Sequence, residues 1–322
     1  MNRIGLAAAH LGTSAVRFVR HYAIAVALLG LAAVLSIASK HFLTGANLVN
    51  TLESGAIYGI VAIALTLLLI AGDFDLCAGA TFVLAGIVAV KLQPALGAAP
   101  ALLAGVAAGT LVGLLDGLAI TLFEVNSFVA TLATSLMVAG VGARLTDGFQ
   151  LYTDDPPFAV LGNGVAAGLP YFVWIYLAFA ALAWFALART RLGRWLYVTG
   201  GNREAARLAG LSTGRLRIIG FGTSGFAAGL AGVVLVSRTG TAIAGNGLAE
   251  VIFPAVAAVV VGGTSILGGR GAVWRTVLGV LFLECIRNGF NLIELDPYYQ
   301  DIVRGGIIFA AIAADALSRR VP

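Results

Sequence analysis

Residues 55–90 read GAIYGIVAIALTLLLIAGDFDLCAGATFVLAGIVAV, two apolar runs separated by Gly72-Asp73-Phe74-Asp75. The hydrocarbon core of a bilayer is spanned by about 20 apolar residues in a helix. With their flanks, the two runs cover 53–71 and 75–92 and are close to that length. This stretch therefore predicts two transmembrane helices joined by a short polar turn.

The composition of the whole chain agrees with this prediction. The chain has 322 residues, of which 60% are hydrophobic and 11% charged, whereas about 25% of the residues in a soluble domain are charged. So little charge cannot cover a water-facing surface, which excludes a soluble enzyme, a disordered protein and a nucleic-acid-binding protein. We predict an all-α polytopic membrane protein, with residues 1–322 forming a single transmembrane domain in the lipid bilayer.

Apolar stretches of helical length recur along the chain. They predict about ten spans, at 22–39, 53–71, 75–92, 99–122, 127–145, 170–188, 216–236, 250–267, 273–293 and 299–317.

Charge in the connections predicts the orientation. Basic residues concentrate at the N-terminus, in the loop 189–217, in the glycine-rich segment 268–275 and at the C-terminus, whereas 146–169 and 294–298 are acidic. Lys and Arg favour the cytoplasmic side. Ten spans counted from a cytoplasmic N-terminus place every basic segment inside, so we expect both termini in the cytoplasm.

The net charge of +5 has one main source. The loop 189–217 carries seven arginines and one acid, Glu204, which leaves the rest of the chain at −1. The chain is therefore a nearly neutral membrane body with one strongly basic loop.

The residues offer no catalytic, metal or nucleotide site. A P-loop requires Gly-Lys-Ser/Thr, and the two lysines, Lys40 and Lys91, follow Ser39 and Val90. The three histidines form no cluster with the two cysteines. We expect no enzyme activity, no metal and no cofactor in this chain, so any ATP-Mg would be bound by a partner.

The basic loop, 190–215, contains its own helix signals. Asn202 is a suitable N-cap, Glu204 lies in the first turn and Gly210 is a helix stop, which predicts a helix over 202–210. Ala205, Leu208 and Ala209 form a small apolar face beside arginines. This face suits either a groove on a partner protein or the lipid headgroups, and the residues alone do not separate the two.

Residues 197–211, YVTGGNREAARLAGL, resemble the coupling segment of monosaccharide-type ABC-importer permeases, the ribose, xylose and autoinducer-2 group. Gly72-Asp73-Phe74-Asp75-Leu76-Cys77-Ala78-Gly79 is similar to the family's GGIDLSVG. Further matches extend the resemblance over about 42–317, at Asn47, at Gly262-Gly263-Thr264-Ser265 with Gly268-Gly269-Arg270-Gly271, and at Asn288-Gly289.

The resemblance implies a transport subunit. It would translocate a pentose, a hexose or a related polyol across a bacterial inner membrane. The implied partners are a periplasmic sugar-binding protein, two ATPase subunits that hold ATP-Mg, and a second copy or paralogue of the permease. The alternatives are a branched-chain amino-acid permease of the same superfamily and an ATP-independent secondary transporter. The coupling residues would be Gly201, Asn202, Glu204, Ala205, Ala206, Leu208 and Gly210.

The chain departs from the family pattern at three positions. Asp73 stands where the family has glycine, Cys77 where it has serine, and Ser127-Phe128 where it commonly has Pro-Phe. These changes fall in blocks that shape the substrate path, so the resemblance does not name the sugar.

The remaining candidates are polar, aromatic or glycine residues inside the spans or in the turns between them. Buried ionisable groups face a cavity or a partner: Asp75 is expected to cap the third span, and Glu284 to pair with Arg287. Expected path-lining residues are Asp116, Phe128, Thr131, Thr134 and Asn288. The expected gating hinges are Gly72, Asp73 and Asp75 with Gly262, Gly263, Gly268 and Gly269. These hinges also suggest a pseudo-repeat of spans 2–5 and 7–10.

Glycines recur every fourth residue at Gly105, Gly109, Gly113 and Gly117, with a shorter pair at Gly225 and Gly229. Such ridges predict close helix packing in a membrane.

Overall fold

A computed structural model describes residues 22–245, 247–296, 299–300, 302–303, 305–306 and 309. The N-terminal arginines, most of the tenth span at 299–317 and the C-terminal arginines lie outside the described residues. The cytoplasmic location of both termini therefore stays a prediction.

The first half of the chain forms long apolar helices joined by short connections. Their order matches the first five predicted spans: α1 is Tyr22–Ala38, α2 Gly45–Ile70, α3 Cys77–Leu96, α4 Ala98–Leu122 and α5 Ser127–Thr146. α2 begins eight residues before the prediction because Thr44 accepts a hydrogen bond from the Asn47 N–H and caps the helix there.

The middle of the chain alternates short elements with one long helix. Two small antiparallel pairs join β1, Leu151–Tyr152, to β4, Thr241–Ala242, and β2, Val165–Ala166, to β3, Leu169–Pro170. The helices are α6 Pro156–Asn163, α7 Tyr171–Arg189, α8 Arg191–Gly201, α9 Arg203–Leu208 and α10 Thr213–Thr239. The basic loop is thus mostly helical, since α8 occupies a stretch for which we predicted no helix.

The eighth predicted span, 250–267, is wrong in its second half. A π-helical turn at Leu248–Ile252 leads into α11, Phe253–Val261, and the chain then turns until α12 begins, Val273–Leu292. At 1.5 Å per residue, 248–261 is about 21 Å long, short of the roughly 30 Å hydrocarbon core. The eighth predicted span is therefore not one continuous membrane-spanning helix. Just before the π-helical turn, the Gly247 backbone packs against that of Gly79 in α3.

Six described helices are long and apolar enough to cross a membrane: α2, α3, α4, α5, α7 and α10. α12 is long but carries Arg275, Glu284 and Arg287, and the last two form the predicted ion pair, at 2.6 Å. The chain is a multi-pass, all-α membrane protein, and the count of ten spans stays a prediction.

α2 is the centre of the bundle. Its second half is almost wholly buried, from Ile60 to Ile70, and α7, α10, α11 and α12 pack around it. α4 and α5 lie outside this core and expose most of their apolar side chains, including Leu103, Leu136 and Met137. Such exposure is typical of helices that face lipid or another subunit.

The two glycine ridges pack against each other at the interface of α4 and α10. A methyl group on Gly109 would lie 2.7 Å from the Gly225 carbonyl oxygen, and one on Gly117 2.9 Å from the Ile218 Cα. The predicted close packing is confirmed.

The helix ends before the two hinges share one hydrogen-bond pattern. Asp73 N–H donates to Leu68 O at 3.0 Å after α2, and Thr264 N–H donates to Val259 O at 3.1 Å after α11. Gly72 and Gly263 adopt φ +79° and +83° there, the left-handed conformation that such helix ends use. By this shared pattern α2, the second span, corresponds to α11, the eighth. The predicted pseudo-repeat of spans 2–5 and 7–10 instead pairs α2 with α10, the seventh span, so it stays a prediction.

Candidate functional site

The helix predicted over 202–210 is present as α9, with the expected caps, and its coupling role stays a prediction. Asn202 Oδ1 accepts from the Ala205 N–H at 3.0 Å, and Gly210, at φ +83°, ends the helix. α9 covers Arg203–Leu208 and is shorter than the predicted 202–210. The helix signals therefore located the element and its two ends to within two residues.

α9 presents its apolar side chains outwards. Leu208 is 82% exposed, and Ala205 and Ala209 are also exposed, whereas Ala206 is fully buried against the body. Glu204 and Arg207 flank this face at 4.0 Å from each other, both well exposed. An exposed leucine between charged side chains, on a capped helix, leaves a face available to a partner.

Three glycine segments meet behind α9 and form what we call the glycine junction: Gly72, Gly200-Gly201 and Gly268-Gly269. A methyl group on Gly200 would overlap the Ile70 carbonyl oxygen, and one on Gly268 would lie 3.0 Å from the Gly72 Cα. Gly269 N–H donates to Ile70 O at 2.9 Å, and Tyr197 Oη donates to Gly271 O at 2.8 Å. Parts of both predicted hinges, Gly72 and Gly268-Gly269, thus touch the predicted coupling segment at one place.

Asp73 is held at this junction by two arginines. Its side chain is 2% exposed, and its carboxylate contacts Arg203 Nη2 at 2.6 Å and Arg217 Nε at 3.2 Å. Burial raises the pKa of the Asp73 carboxyl, and the Arg203 charge and the Ser127 hydroxyl offset part of that rise. Arg203 is the first residue of α9, so this ion pair ties the candidate coupling helix to the hinge after α2.

The hinge is also bonded to α5. Ser127 Oγ accepts from the Phe74 N–H at 3.1 Å, and Thr131 Oγ1 accepts from the Leu76 N–H at 3.0 Å. The Phe128 ring, half exposed, packs on Phe74 with centroids 5.7 Å apart. Two predicted path residues, Phe128 and Thr131, are therefore in direct contact with the predicted hinge.

Polar side chains collect beside this contact, between α3, α4, α5 and α10. Asp75 accepts from the Ala78 N–H at 3.1 Å, as predicted for the cap of the third span, and from the Ser224 hydroxyl at 2.6 Å. Asp116 is buried near Thr134, and its Oδ2 accepts no hydrogen bond within the described residues. The structure places these side chains together, and their role as path residues stays a prediction.

Asn288 lies far from this group. It forms a reciprocal amide pair with Asn47: Asn288 Nδ2 donates to Asn47 Oδ1 at 2.7 Å, and Asn47 Nδ2 donates to Asn288 Oδ1 at 2.9 Å. The pair joins α12 to the first turn of α2.

Gly200, Arg217 and Tyr197 are junction residues that the sequence did not single out. Gly200 precedes the predicted helix and could have been found from its glycine doublet, since paired glycines permit a close backbone approach. Arg217 and Tyr197 carry no local signal, because their partners Asp73 and Gly271 are distant in the chain.

The basic loop and the acidic connection lie at opposite ends of α10. Arg217 lies near the start of α10, beside Arg203 of α9, whereas α6 and the connection around Asp155 lie at its end, where Gly162 N–H donates to Ser237 Oγ at 2.9 Å. α10 has 27 residues, so the ends are about 40 Å apart.

Known permeases are similar to this chain over most of its length. The family described as branched-chain amino acid transport system, permease component, matches residues 47–312. The ribose import permease protein RbsC of Escherichia coli (strain K12) is 36% identical over 90% of this chain and 92% of its own length. The D-allose transport system permease protein AlsC of the same strain is 33% identical, over 88% and 87%.

The L-arabinose transport system permease protein AraH of Escherichia coli (strain K12) is 33% identical over 81% of this chain and 80% of its own length. No solved structure matches the chain significantly. Because the family match covers most of the chain and the relatives align over nearly their whole length, this protein belongs to that family of transport-system permease components.

Proposed function

We propose that this chain is the membrane-spanning subunit of an ATP-binding-cassette importer that translocates a monosaccharide or a related polyol. The permeases that it resembles over most of their length are named for ribose import and for D-allose and L-arabinose transport. The structural observation that carries the proposal is α9, an exposed apolar face whose first residue is bonded to the buried hinge after α2.

In this proposal the energy comes from partners. Two ATPase subunits bind ATP-Mg and receive α9 in a groove, contacting Glu204, Ala205 and Leu208. A periplasmic sugar-binding protein delivers the solute to the opposite end, and a second copy of the permease or a paralogue completes the path. The protein lies in the bacterial inner membrane with α8 and α9 in the cytoplasm, as the distribution of arginines favours.

The proposed substrate path passes along α5. Phe128, Thr131 and Thr134 offer an aromatic face and hydroxyl groups, which suit the apolar and polar sides of a sugar ring. Asp116 contributes a carboxylate oxygen that accepts no hydrogen bond within the described residues. Opening and closing follow from movement of the hinges at Gly72 and Gly268 as the ATPases close.

The docking half of the proposal is tested by co-purification of the ATPase with permease variants. Leu208→Ser together with Glu204→Ala is expected to abolish co-purification, because both side chains are exposed and contribute to partner contact. Leu43→Ser is the control, since Leu43 is also exposed, 61%, but precedes α2 at the other end of the bundle. Retention of the ATPase by the double variant would refute the docking role of α9.

The transport half is tested in proteoliposomes that contain the permease, the ATPase and the binding protein. We expect ATP-dependent uptake of labelled D-ribose, D-allose or L-arabinose and none of L-leucine. Uptake of leucine would favour a branched-chain amino-acid permease, and uptake without ATP would favour a secondary transporter.

A further inference from the structure

The linker Asp73–Leu76, between α2 and α3, is contacted from two directions. One set of contacts comes from α9 and the start of α10, and the other comes from α5. Each end of this short segment is therefore fixed to a different part of the molecule.

On the first side, the contacts are ionic and shielded from water. Asp73 is 2% exposed and Arg217 13%, while Arg203 reaches in from α9 and is 35% exposed. Arg203 Nη2 also donates to the Ala71 carbonyl oxygen, at 3.3 Å. Movement of α9 without the linker would break the contacts of Arg203 to the Asp73 carboxylate and to the Ala71 carbonyl oxygen. Separating an ion pair that is shielded from water is costly, so a displacement of α9 draws the linker with it.

On the second side, each backbone N–H of the linker that meets α5 is bonded to a hydroxyl. Phe74 donates to Ser127 and Leu76 donates to Thr131. The Ser127 hydroxyl also interacts with the Asp73 carboxylate. A displacement of the linker therefore changes the first turn of α5, the turn that carries Phe128.

Two of the three departures from the family pattern meet here. Glycine at position 73 would provide no carboxylate for Arg203, and proline at position 127 would provide no hydroxyl for Phe74. The link depends on Asp73 and Ser127 being present together.

We propose that Arg203, Asp73 and Ser127 form a relay that passes movement of the coupling helix α9 to the substrate-facing helix α5. Asp73 and Ser127 are positioning residues in this relay, because they act through α5 and need not touch the solute. The inference rests on the proposed function, since it requires an ATPase that moves α9.

The experiment measures movement of α5 directly and needs no knowledge of the solute. Spin labels are placed at Leu136→Cys in α5 and Leu182→Cys in α7, both exposed, after Cys77→Ser and Cys285→Ser. The permease–ATPase complex in lipid nanodiscs is compared without nucleotide and with a non-hydrolysable ATP analogue. In the relay-intact protein, the analogue is expected to change the label spacing.

With the analogue bound, some complexes show the changed label spacing and the rest keep the nucleotide-free spacing. Asp73→Asn is expected to lower the ratio of the first to the second about five-fold or more, the lower limit of typical allosteric coupling. Arg203→Gln should give a similar loss and add little to Asp73→Asn, since both variants remove the Arg203–Asp73 ion pair. Ser127→Ala should also reduce the shift. The matched controls are Glu53→Gln, which breaks the 3.0 Å pair with Arg238 in another region, and Ser135→Ala, a buried serine elsewhere on α5.

The outcomes separate the relay from the proposed function. If the relay-intact permease retains no ATPase, the proposed function is overturned, and the relay with it. If the ATPase is retained, a full nucleotide-driven shift in Asp73→Asn or Ser127→Ala would overturn the relay alone, as would an equal loss in both controls. Should Asp73→Asn not assemble, Arg203→Gln provides the test, because Arg203 is partly exposed and its loss leaves Arg217 on Asp73.

Discussion

The α4–α10 interface and the glycine junction both depend on glycine, but in different ways. Between α4 and α10 the glycines lie inside helices and bring two backbones together, as Gly109 does with Gly225. At the junction, Gly72 and Gly268 adopt positive φ and end or turn the chain. Polar contacts to Asp73, Tyr197 and Gly269 then hold the turns.

This difference separates a fixed contact from one that can transmit a change. Two helices packed backbone to backbone along several turns have no alternative arrangement without opening the whole interface. Ion pairs and single hydrogen bonds at chain turns are directional, and breaking a few of them releases a short segment. We therefore expect substitutions at the first region to affect stability, and substitutions at the second to affect coupling as well.

The largest effect is expected from Gly113→Ala in α4. The added methyl group would overlap the Phe221 carbonyl oxygen and lie 2.9 Å from the Gly225 Cα. Overpacking costs about 1–3 kcal/mol, and a value near the upper limit is expected because both neighbours are helix backbone. Thermal unfolding of the purified permease in detergent measures it.

Gly140→Ala in α5 is the control, since nothing lies within 4 Å of the added carbon. Equal stability of the two variants would contradict the view that the α4–α10 interface is rigid.

A smaller loss of stability, with a complete loss of transport, is expected from Gly200→Ala. The methyl group would overlap the Ile70 carbonyl oxygen and lie 2.7 Å from the Gly269 nitrogen, and relief by movement of the turns limits the cost to about 1–2 kcal/mol. Uptake in proteoliposomes and thermal unfolding measure the two effects.

Gly140→Ala in α5 is again the control, because its added carbon has no neighbour within 4 Å and Gly140 lies outside the junction. If Gly200→Ala transported at the rate of Gly140→Ala, the junction would have no part in coupling.

The smallest effect is expected from Asn202→Ala, which removes the cap of α9. Loss of an N-cap costs about 1 kcal/mol, and the loss stays local because α9 is short and exposed. Hydrogen exchange of the α9 amides should rise while the melting temperature of the whole protein changes little. Asn202→Ser should restore protection, and unchanged exchange in Asn202→Ala would show that the tertiary contacts of Arg203 and Ala206 hold α9 without its cap.

Local signals predicted the elements whose physics is local. Residues close together in the chain form each of these features: the cap at Asn202, the stop at Gly210, the cap at the start of the third span by Asp75, and the Glu284–Arg287 pair. The first five apolar runs each predicted a helix that the structure contains. The prediction of the eighth span was wrong because the run 250–267 is apolar enough for a helix, yet Gly262 and Gly263 end the helix at Val261.

Contacts between distant residues could not be read in this way. Asp73 meets Arg203 and Arg217 across more than a hundred residues, and Asn47 meets Asn288 across more than two hundred. Nothing in the neighbourhood of any of these residues indicates its partner. The apolar pattern placed Asp116 in a predicted span but did not show that its side chain is buried between α3, α4 and α5.

The sequence by itself determined that this chain crosses a membrane, where its first five helices lie, which connections are basic and where a capped helix stands in the basic loop. These properties follow from hydrophobicity, charge and helix-end chemistry, which act over a few residues. Only the tertiary structure decided that α9 and α5 meet at the linker that begins with Asp73, and that Gly268-Gly269 packs beside Gly72 there. That decision depends on which helices pack together, and close packing between glycines is set by the complementary shapes of two distant segments.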